Sequence, residues 1–374
     1  MPMRTPKSSD IRNGNGIVMC SSGSDGNRSM TDPAVPPSRG NIVVVTNPAS
    51  DRGRGRSTGR QALDYLIRRC PQYGLDVIDV TGATRRESLD NARRQIARAD
   101  ALVVVGGDGM VSLGVNAVAD CDIPLGIVAC GSGNDFARGL GLPVGHLETS
   151  IEAILASLRY RSAINLDLGH VESADDGGER VNVFFAGMLN CSIDAAINDR
   201  ANHSALPFGG LRYLDAGIRE ALHVKEYGFH VDVTYDDGNV DDYELTTPLL
   251  AIANARFIGS GIEASPNSRL DDGMLEMLWA KWKPSAPQAL HVLAQAYRGR
   301  HLGNPLIGYR RISAVTISAS GQGAEPPLLM SDGEIIGRVP VRVDAHHKAL
   351  KLLIPPAVLR QWRHASHDGR SGEW

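Results

Sequence analysis

Short apolar runs alternate with longer segments of helical periodicity along the first half of the chain. The runs are continuous and rich in Val, Ile and Leu, which is typical of parallel strands covered by helices on both faces. Four strands are predicted in this half, in NIVVVTNP, LDVIDVT, ALVVV and PLGIVA. Helices are predicted at 57–70, 86–98, 110–119 and 147–159. This alternation predicts a doubly wound α/β domain, with a parallel sheet, over residues 41–165.

Beyond about residue 165 the alternation gives way to a succession of strands. In FHVDVTYDDGNV apolar and polar residues alternate, and Asp237-Gly238 predicts a hairpin turn. Two helices are predicted in this half, near 208–224 and 284–298. We therefore expect a mainly antiparallel β-sandwich over 166–345, with the ligand site in the crevice between the two domains. Residues 346–362 are predicted to form a strand and a helix that return to the first domain.

The two ends of the chain differ in composition from the rest. Residues 1–40 are rich in Ser, Gly, Asn, Pro and Arg and contain no apolar run of the kind found in signal peptides, so a disordered extension is predicted. A flexible tail is predicted at 363–374. No apolar run reaches the roughly 20 residues that a membrane span requires. Any membrane contact is therefore expected to be peripheral, and Trp279 and Trp282, which lie among lysines, are considered for it.

Charge and cysteine content narrow the class of protein further. A net charge of -3 provides no overall basic field, which disfavours a nucleic-acid partner. Arginines cluster at 52–60, in a glycine-rich loop where anion binding is considered, and at 85–98, where solvated surface is the simpler interpretation. The five cysteines are widely spaced and include no Cys-x-x-Cys pair, which predicts reduced thiols in a cytoplasmic protein and no cysteine metal site.

Three of the predicted strands end in segments rich in glycine and polar residues. These segments are TNPASDRGRGRSTG, GGDGM and CGSGNDFARGLGLP. Because the carboxyl ends of parallel strands meet at one edge of a sheet, we expect the segments to converge there and to offer backbone N–H groups to phosphate. None matches the P-loop or the dinucleotide-binding fingerprint. Asp108 among the glycines suits a carboxylate that holds Mg²⁺ or orients a hydroxyl, so phosphoryl transfer is predicted.

Five motifs, in their order and spacing, resemble those of the diacylglycerol kinase catalytic-domain family, which includes bacterial diacylglycerol kinases and the sphingosine and ceramide kinases. They are TNPASDRGRG, VVVGGDGMVSLGVN, PLGIVACGSGNDFARGLGLP, SRLDDGMLEM and SDGE, spread over residues 41 to about 355. The resemblance implies a cytoplasmic lipid kinase that uses ATP and Mg²⁺ to phosphorylate diacylglycerol or a sphingoid-type lipid. It also implies a role in phospholipid biosynthesis, peripheral contact with a membrane, and a homodimer.

The resemblance implies roles for individual residues as well. Asp332 would be the general base that accepts the proton of the substrate hydroxyl, with Glu334 in support. Mg²⁺ would be held by the side chain of Asp272 and by main-chain oxygens near Arg269 and Met274. The residues implied to contact ATP all lie in or next to the strand-end segments: Asn47, Thr81, Gly106, Gly107, Asp108, Gly109, Met110, Ser132, Asn134 and Asp135.

The chain departs from the family's usual pattern GGDGT-x-x-Glu at two positions, where Met110 replaces the Thr and Leu113 replaces the Glu. These departures leave open a nucleotide-binding protein that transfers no phosphate. An NAD kinase-like enzyme would share GGDG, although SRLDDGM and the late SDGE fit it poorly, and a Rossmann oxidoreductase is a third alternative. Taken singly, Asp271-Asp272-Gly273 and Asp332-Gly333 also suit ordinary turns.

Overall fold

The structure is a computed structural model that describes residues 40–47, 54–174, 180–192, 225–259 and 261–367. The predicted helix at 208–224 and residues 1–39 of the predicted disordered extension lie outside the described residues, as does the segment 368–374. The described helices are α1 Arg54–Arg69, α2 Arg85–Gln95, α3 Asp108–Val118, α4 Asp135–Gly139, α5 Leu147–Tyr160, α6 Ala286–Ala296 and α7 Pro356–His367. The described strands are β1 Gly40–Thr46, β2 Leu75–Asp79, β3 Ala101–Gly106, β4 Leu125–Ala129, β5 Ala163–Ser173, β6 Asn182–Phe185, β7 Met188–Asn190, β8 Tyr227–Tyr235, β9 Val240–Thr247, β10 Leu250–Ala253, β11 Leu275–Ala280, β12 Ile307–Ala319, β13 Leu329–Ser331, β14 Glu334–Gly337 and β15 Val341–Leu353.

The first part of the sheet is parallel, in the order β2–β1–β3–β4. β3 is buried along its whole length, because both of its faces are covered. Leu102 and Val104 belong to the core that includes α3, whereas Val103 and Val105 belong to the core that includes residues of α1 and α5. Two covered faces explain why this strand is a continuous apolar run in the sequence. The predicted doubly wound α/β domain is confirmed.

The second part of the sheet is mainly antiparallel. It runs β15–β12–β11–β10–β7–β13–β14. β8 pairs with β12 and β9 with β8, while β5 pairs with β15 and β6 with β5. The strands enclose a second apolar core that includes Phe185, Phe229 and Met277. The predicted hairpin at Asp237-Gly238 joins β8 to β9, and Gly238 has a φ of 80°. The mainly antiparallel sandwich predicted from the sequence is confirmed.

β5 and β15 belong to both parts of the molecule. β15 pairs in parallel with β4 at Leu352 and Leu125, and in antiparallel fashion with β5 and β12. The domain boundaries predicted at 165/166 and 345/346 therefore fall inside these two strands. α7 continues to His367, so helix occupies 363–367, where the sequence analysis expected the start of a flexible tail.

The two tryptophans considered for a membrane interface differ in environment. Trp279 packs against the sandwich core, whereas Trp282 is 45% exposed. Within the described part of the chain, no helix is both long enough and apolar enough to cross a bilayer. Of the two, Trp282 is thus the ring that a membrane surface could contact.

Candidate active site

Two glycine loops at the carboxyl edge of the sheet lie in direct backbone contact. The Cys130 N–H, after β4, donates a hydrogen bond to the carbonyl oxygen of Gly106 at the end of β3, at 3.0 Å. A Cβ atom at Gly131 would lie 2.3 Å from the Cα of Gly107, a distance at which two carbon atoms cannot coexist. Close approach, rather than turn geometry, therefore requires glycine at Gly131.

Asn134 fixes the shape of the second loop. Its Oδ1 accepts a hydrogen bond from the Gly131 N–H at 2.9 Å, and its Nδ2 donates one to the Gly131 carbonyl at 2.7 Å. The residue is buried and has a φ of 57°, a conformation that Asn tolerates better than most residues. With the Asn134 side chain committed to the loop, Ser132 presents an exposed side chain at the tip.

Two acidic residues begin the helices that follow these loops. Asp108 is the first residue of α3, and its carboxylate accepts a weak hydrogen bond from the Phe136 N–H at 3.4 Å. Asp135 is the first residue of α4 and is buried. Burial first, and then the charges of Asp135 and Asp332, raise the pKa of Asp108 to about 6. The three carboxylates therefore interact electrostatically, which favours binding of a cation or a proton among them.

Asp332 is held by three backbone donors from the connection between β6 and β7. Its carboxylate accepts hydrogen bonds from the N–H groups of Ala186 and Gly187 at 2.8 Å and of Met188 at 3.0 Å. Burial raises the pKa of Asp332, while these donors and the charge of Arg85 oppose the rise. A carboxylate that is both oriented and shifted towards neutral pH suits a general base.

The turn interpretation of Asp332-Gly333 also holds. The two residues connect β13 to β14, with φ values of 48° and 85°. The left-handed backbone of Asp332 is therefore part of the same hairpin that positions its carboxylate. The turn and the site are two aspects of one local structure.

Arg85 joins the first glycine loop to this hairpin. Its Nη1 donates to the Gly109 carbonyl at 2.6 Å and its Nη2 to the hydroxyl of Ser112 at 3.0 Å. The same guanidinium lies 3.9 Å from the carboxylate of Glu334. The interpretation of Arg85 as solvated surface was wrong. A signal was present, since Arg85 begins the helix after β2 and so follows a strand end at the same edge of the sheet.

Residues of the two glycine loops and of the Asp332 hairpin line a cavity of about 140 Å³. Asp108, Ser132, Asp135 and Asp332 form its polar lining. The rest of the lining is mostly apolar and comes from both parts of the molecule: Val111, Gly133, Phe136, Ala186, Gly187, Met188, Ala255, Phe257, Ile258, Gly259 and Gly333. The predicted crevice between the domains thus contains carboxylates from both of its sides, with apolar side chains around them. The sequence analysis did not single out the segment after β10 that supplies Phe257 and Ile258.

Several predicted contact residues lie beside the cavity rather than in its lining. The Met110 side chain is buried in the core of the first domain. Thr81 accepts a hydrogen bond from the Thr46 N–H at 2.9 Å and so supports the end of β1. Asn47 follows β1 at the same edge. Met110 and Thr81 therefore support the segments beside the cavity, through core packing and through a hydrogen bond to the end of β1 respectively.

Asp272 lies in a separate charge cluster and does not line the cavity. Its Oδ2 is 2.8 Å from Nη2 of Arg311, and its Oδ1 accepts a hydrogen bond from the Met274 N–H at 3.1 Å. Arg269 lies at 3.9 Å from the same carboxylate. Burial raises the pKa of Asp272, and the two arginines oppose the rise.

The cluster around Asp272 has two buried acidic oxygens that accept no hydrogen bond, Oδ1 of Asp271 and Oε2 of Glu276. Burial raises the pKa of Glu276 to about 7, and the Tyr309 hydroxyl and the charge of Arg311 oppose the rise. Carboxylate oxygens short of donors are the ligands that Mg²⁺ prefers, so the residues here fit a hard divalent cation.

Comparison with known proteins covers both parts of the chain. The family model described as diacylglycerol kinase catalytic domain matches residues 41–170, and the one described as YegS C-terminal NAD kinase beta sandwich-like domain matches residues 187–354. The diacylglycerol kinase of Mycobacterium tuberculosis strain H37Rv is 27% identical over 317 residues, which cover 84% of this chain and 96% of the relative. The diacylglycerol kinase of Bacillus subtilis strain 168 is 24% identical over 315 residues, or 83% and 95%. A crystal structure of a diacylglycerol kinase from Bacillus anthracis str. Sterne has the same fold, with a TM-score of 0.58, 17% identity, and coverage of 86% of this chain and 98% of that one.

Proposed function

This chain belongs to the diacylglycerol kinase catalytic-domain family and is a kinase, and on that premise we propose that it transfers the γ-phosphate of ATP to a lipid hydroxyl. Diacylglycerol is the first candidate acceptor and a sphingoid-type lipid is the second. The observation that carries the proposal is the single cavity lined by Asp108 and Ser132 from the first domain and by Asp332 from the sandwich.

The glycine loops would bind the phosphates of ATP. The start of α3 is the positive end of the helix dipole, and the backbone N–H groups before Met110, which makes the first bond of this turn to Gly107, would favour phosphate. Gly107 and Gly109 let phosphate approach the backbone closely. The side chain of Asn134 is committed to Gly131, so its part is to hold the second loop in place.

Asp332 would accept the proton of the acceptor hydroxyl. The hydroxyl oxygen bonds to the γ-phosphorus, the bond from that phosphorus to the bridging oxygen breaks, and ADP leaves with the electron pair. The N–H groups of Ala186, Gly187 and Met188 orient the carboxylate for this step. Phosphoryl transfer requires little further covalent chemistry from the protein, since positioning and charge stabilisation supply most of the rate.

Mg²⁺ bound with ATP would neutralise part of the phosphate charge. Asp108 and Asp135 are the carboxylates whose place in the cavity suits such an ion. The cluster of Asp271, Asp272 and Glu276 would take a separate ion that holds the segment before β11, with main-chain oxygens near Arg269 and Met274. Because Asp272 does not line the cavity, an ion there would act on the protein rather than on the phosphates.

The apolar lining supports a lipid acceptor. Phe136, Met188, Phe257 and Ile258 lie around the cavity that contains Asp332. An acceptor with a hydroxyl on an apolar body could bury that body here while its oxygen meets the carboxylate. Such a substrate resides in a bilayer, so we propose peripheral membrane contact, with the exposed Trp282 as one contact residue.

The test of this proposal is an assay of phosphate transfer from ATP by the purified full-length chain. The acceptor panel contains diacylglycerol, a sphingoid base, ceramide and NAD, each with and without Mg²⁺. We expect a phosphorylated lipid, formed only with Mg²⁺. Phosphorylated NAD with no phosphorylated lipid would replace the proposal by an NAD kinase-like activity, and ATP binding without product from any acceptor would leave a nucleotide-binding protein.

Substitution of Arg85 by glutamine is expected to shift the pH dependence of the kinase. The positive charge of Arg85 favours the ionised form of Asp332, so its removal raises the pKa of that base. Because a general base works only when ionised, the acid limb of kcat/KM should move to higher pH. We also expect kcat to fall by about tenfold, the equivalent of one hydrogen bond from a charged donor.

The matched control is the neighbouring Arg86→Gln, whose side chain is exposed. It should leave both kcat and the pH profile unchanged. An Arg85→Gln enzyme with the wild-type acid limb would show that the guanidinium has no electrostatic effect on the base.

A further inference from the structure

Two histidines and an aspartate lie together on the strands that both parts of the molecule share. His170 on β5 pairs directly with Asp344 on β15, and His346 lies two residues further along β15. Residues at i and i+2 of a strand share a face, so the ladder places the three side chains on one side. Nδ1 of His170 is 3.7 Å from Oδ1 of Asp344, and Nε2 of His346 is 3.2 Å from Oδ2. One donor atom from each residue lies within 4.8 Å of the other two.

The outer nitrogen of each imidazole already faces an acceptor. Nε2 of His170 lies 3.1 Å from Oδ1 of Asn182, and Nδ1 of His346 lies 3.3 Å from Oδ2 of Asp120. An amide oxygen and a carboxylate oxygen can only accept, so these outer contacts suit the tautomer in which each outer nitrogen carries the proton. In that tautomer the lone pairs lie on Nδ1 of His170 and Nε2 of His346, and an ion between them would replace the proton through which each imidazole otherwise contacts Asp344. Metal-binding histidines use this arrangement of an outer acceptor and an inner lone pair.

Packing restricts the two rings further. His170 is buried, and its ring centroid lies 4.7 Å from that of Phe184 and 4.8 Å from that of His346. The backbone of Phe184 is held in turn by the side chain of Asn116 on α3. Ligands with restricted orientations lose little conformational entropy when an ion binds.

We propose that His170, Asp344 and His346 bind a divalent transition-metal ion, with Zn²⁺ as the best match, at a site separate from the candidate active site. Zn²⁺ takes imidazole nitrogen and carboxylate oxygen at about 2.0–2.2 Å in tetrahedral geometry, which puts neighbouring ligand atoms roughly 3.3 Å apart. The two nitrogens lie 3.2 and 3.7 Å from different oxygens of Asp344, and one ligand atom from each residue lies within 4.8 Å of the other two, so a small side-chain adjustment would reach that spacing. Mg²⁺ and Ca²⁺ prefer sites made of oxygen, so two imidazoles favour a transition metal. The fourth position is left for water.

The ion would connect three parts of the fold. It would tie β5 to β15, and through Asp120 it would act on the residues that follow α3. The first residue of α3 is Asp108, at the opposite end of the helix from Asp120. His170, Asp344 and His346 do not line the cavity of the candidate active site, so this proposal does not depend on the proposed function.

The test is calorimetric titration of Zn²⁺ into the full chain after removal of metals by a chelator, with Mg²⁺ titrated in parallel. We expect one Zn²⁺ per chain at this site, a higher Tm with Zn²⁺ bound, and the visible absorption of four-coordinate Co²⁺ when cobalt is used instead. His346→Ala should abolish this binding. Asp120→Asn, which keeps all three ligands and suits the positive φ of 57° at that position, should weaken it by about 10–100-fold.

Two controls separate this site from others on the chain. His230→Ala alters a second cluster, made with Asp232 and Asp242, and should leave the binding at His346 intact. His291→Ala alters an exposed histidine on α6 and should change nothing. Zinc binding that survives both His346→Ala and Asp120→Asn, or wild-type protein that gives neither zinc binding nor the cobalt spectrum, would overturn the proposal.

Discussion

Replacement of Asp332 by asparagine is expected to lower kcat by about 10²–10⁴-fold, the usual contribution of a general base, with little change in the affinity for ATP. An amide cannot accept the proton of the acceptor hydroxyl at neutral pH. The loops expected to bind the phosphates lie on the first domain and keep their own contacts, such as that between Cys130 and Gly106. Steady-state kinetics with the acceptor, together with calorimetric ATP titration, measures the two effects separately.

The matched control for this variant is Asp237→Asn. Asp237 occupies another Asp-Gly hairpin turn, where it accepts a hydrogen bond from the Asn239 N–H at 2.9 Å, and its replacement should leave kcat unchanged. The stability of both variants should be checked by thermal unfolding. In Asp332→Asn the NH₂ group of the amide could face the backbone N–H groups that now donate to the carboxylate. Normal turnover by Asp332→Asn would exclude Asp332 as the base. A loss of ATP affinity as large as the loss of kcat would assign Asp332 to the nucleotide site instead.

Replacement of Gly131 by alanine is expected to weaken ATP binding by about tenfold or more, which corresponds to 1.4 kcal/mol, and to destabilise the fold by about 1–3 kcal/mol, as overpacking does. The new methyl group would lie 2.3 Å from the Cα and 2.9 Å from the nitrogen of Gly107. Backbone atoms cannot turn aside as a flexible side chain can, so the two loops must separate. Titration with a non-hydrolysable ATP analogue and denaturant unfolding measure the two losses.

Gly303→Ala is the control for the methyl group itself. A Cβ at Gly303 would meet no atom within 4 Å, and this glycine does not have a positive φ. The variant should unfold and bind nucleotide as the wild type does. If Gly131→Ala bound the analogue with wild-type affinity, the contact between the two loops would have no part in nucleotide binding.

The sequence predicted the elements that bury long apolar faces. β3 is a continuous apolar run, and the β8–β9 hairpin combines alternating residues with an Asp-Gly turn, so local pattern alone identifies both. β13 and β14 are strands of 3 and 4 residues around Asp332, too short to show a period. The predicted domain boundaries fall inside β5 and β15 for a related reason, since pairing with distant strands leaves no mark in the residues themselves.

Parts of the candidate site were predictable from one physical rule. Parallel strands end at one edge of a sheet, and this rule alone predicts that Asp108 and Ser132 lie close together. The donors to Asp332 come from a connection 144 to 146 residues earlier in the chain, and no local pattern relates the two segments. Arg85 was missed because an arginine-rich helix suggests a solvated surface, although its first residue reaches the glycine loop.

The continuity of β5 and β15 restricts how substrates can reach the cavity beside the two glycine loops. Two paired strands, rather than a flexible linker, connect the parts that face each other across the cleft. A rotation of one domain against the other would have to bend or unpair β5 and β15. Access to the cavity should therefore depend on rearrangement of the segments around its opening and not on a hinge motion between the domains. For the same reason, either domain expressed alone would expose strand edges with unpaired backbone groups, which are prone to association. Truncated variants should therefore keep β5 and β15 together.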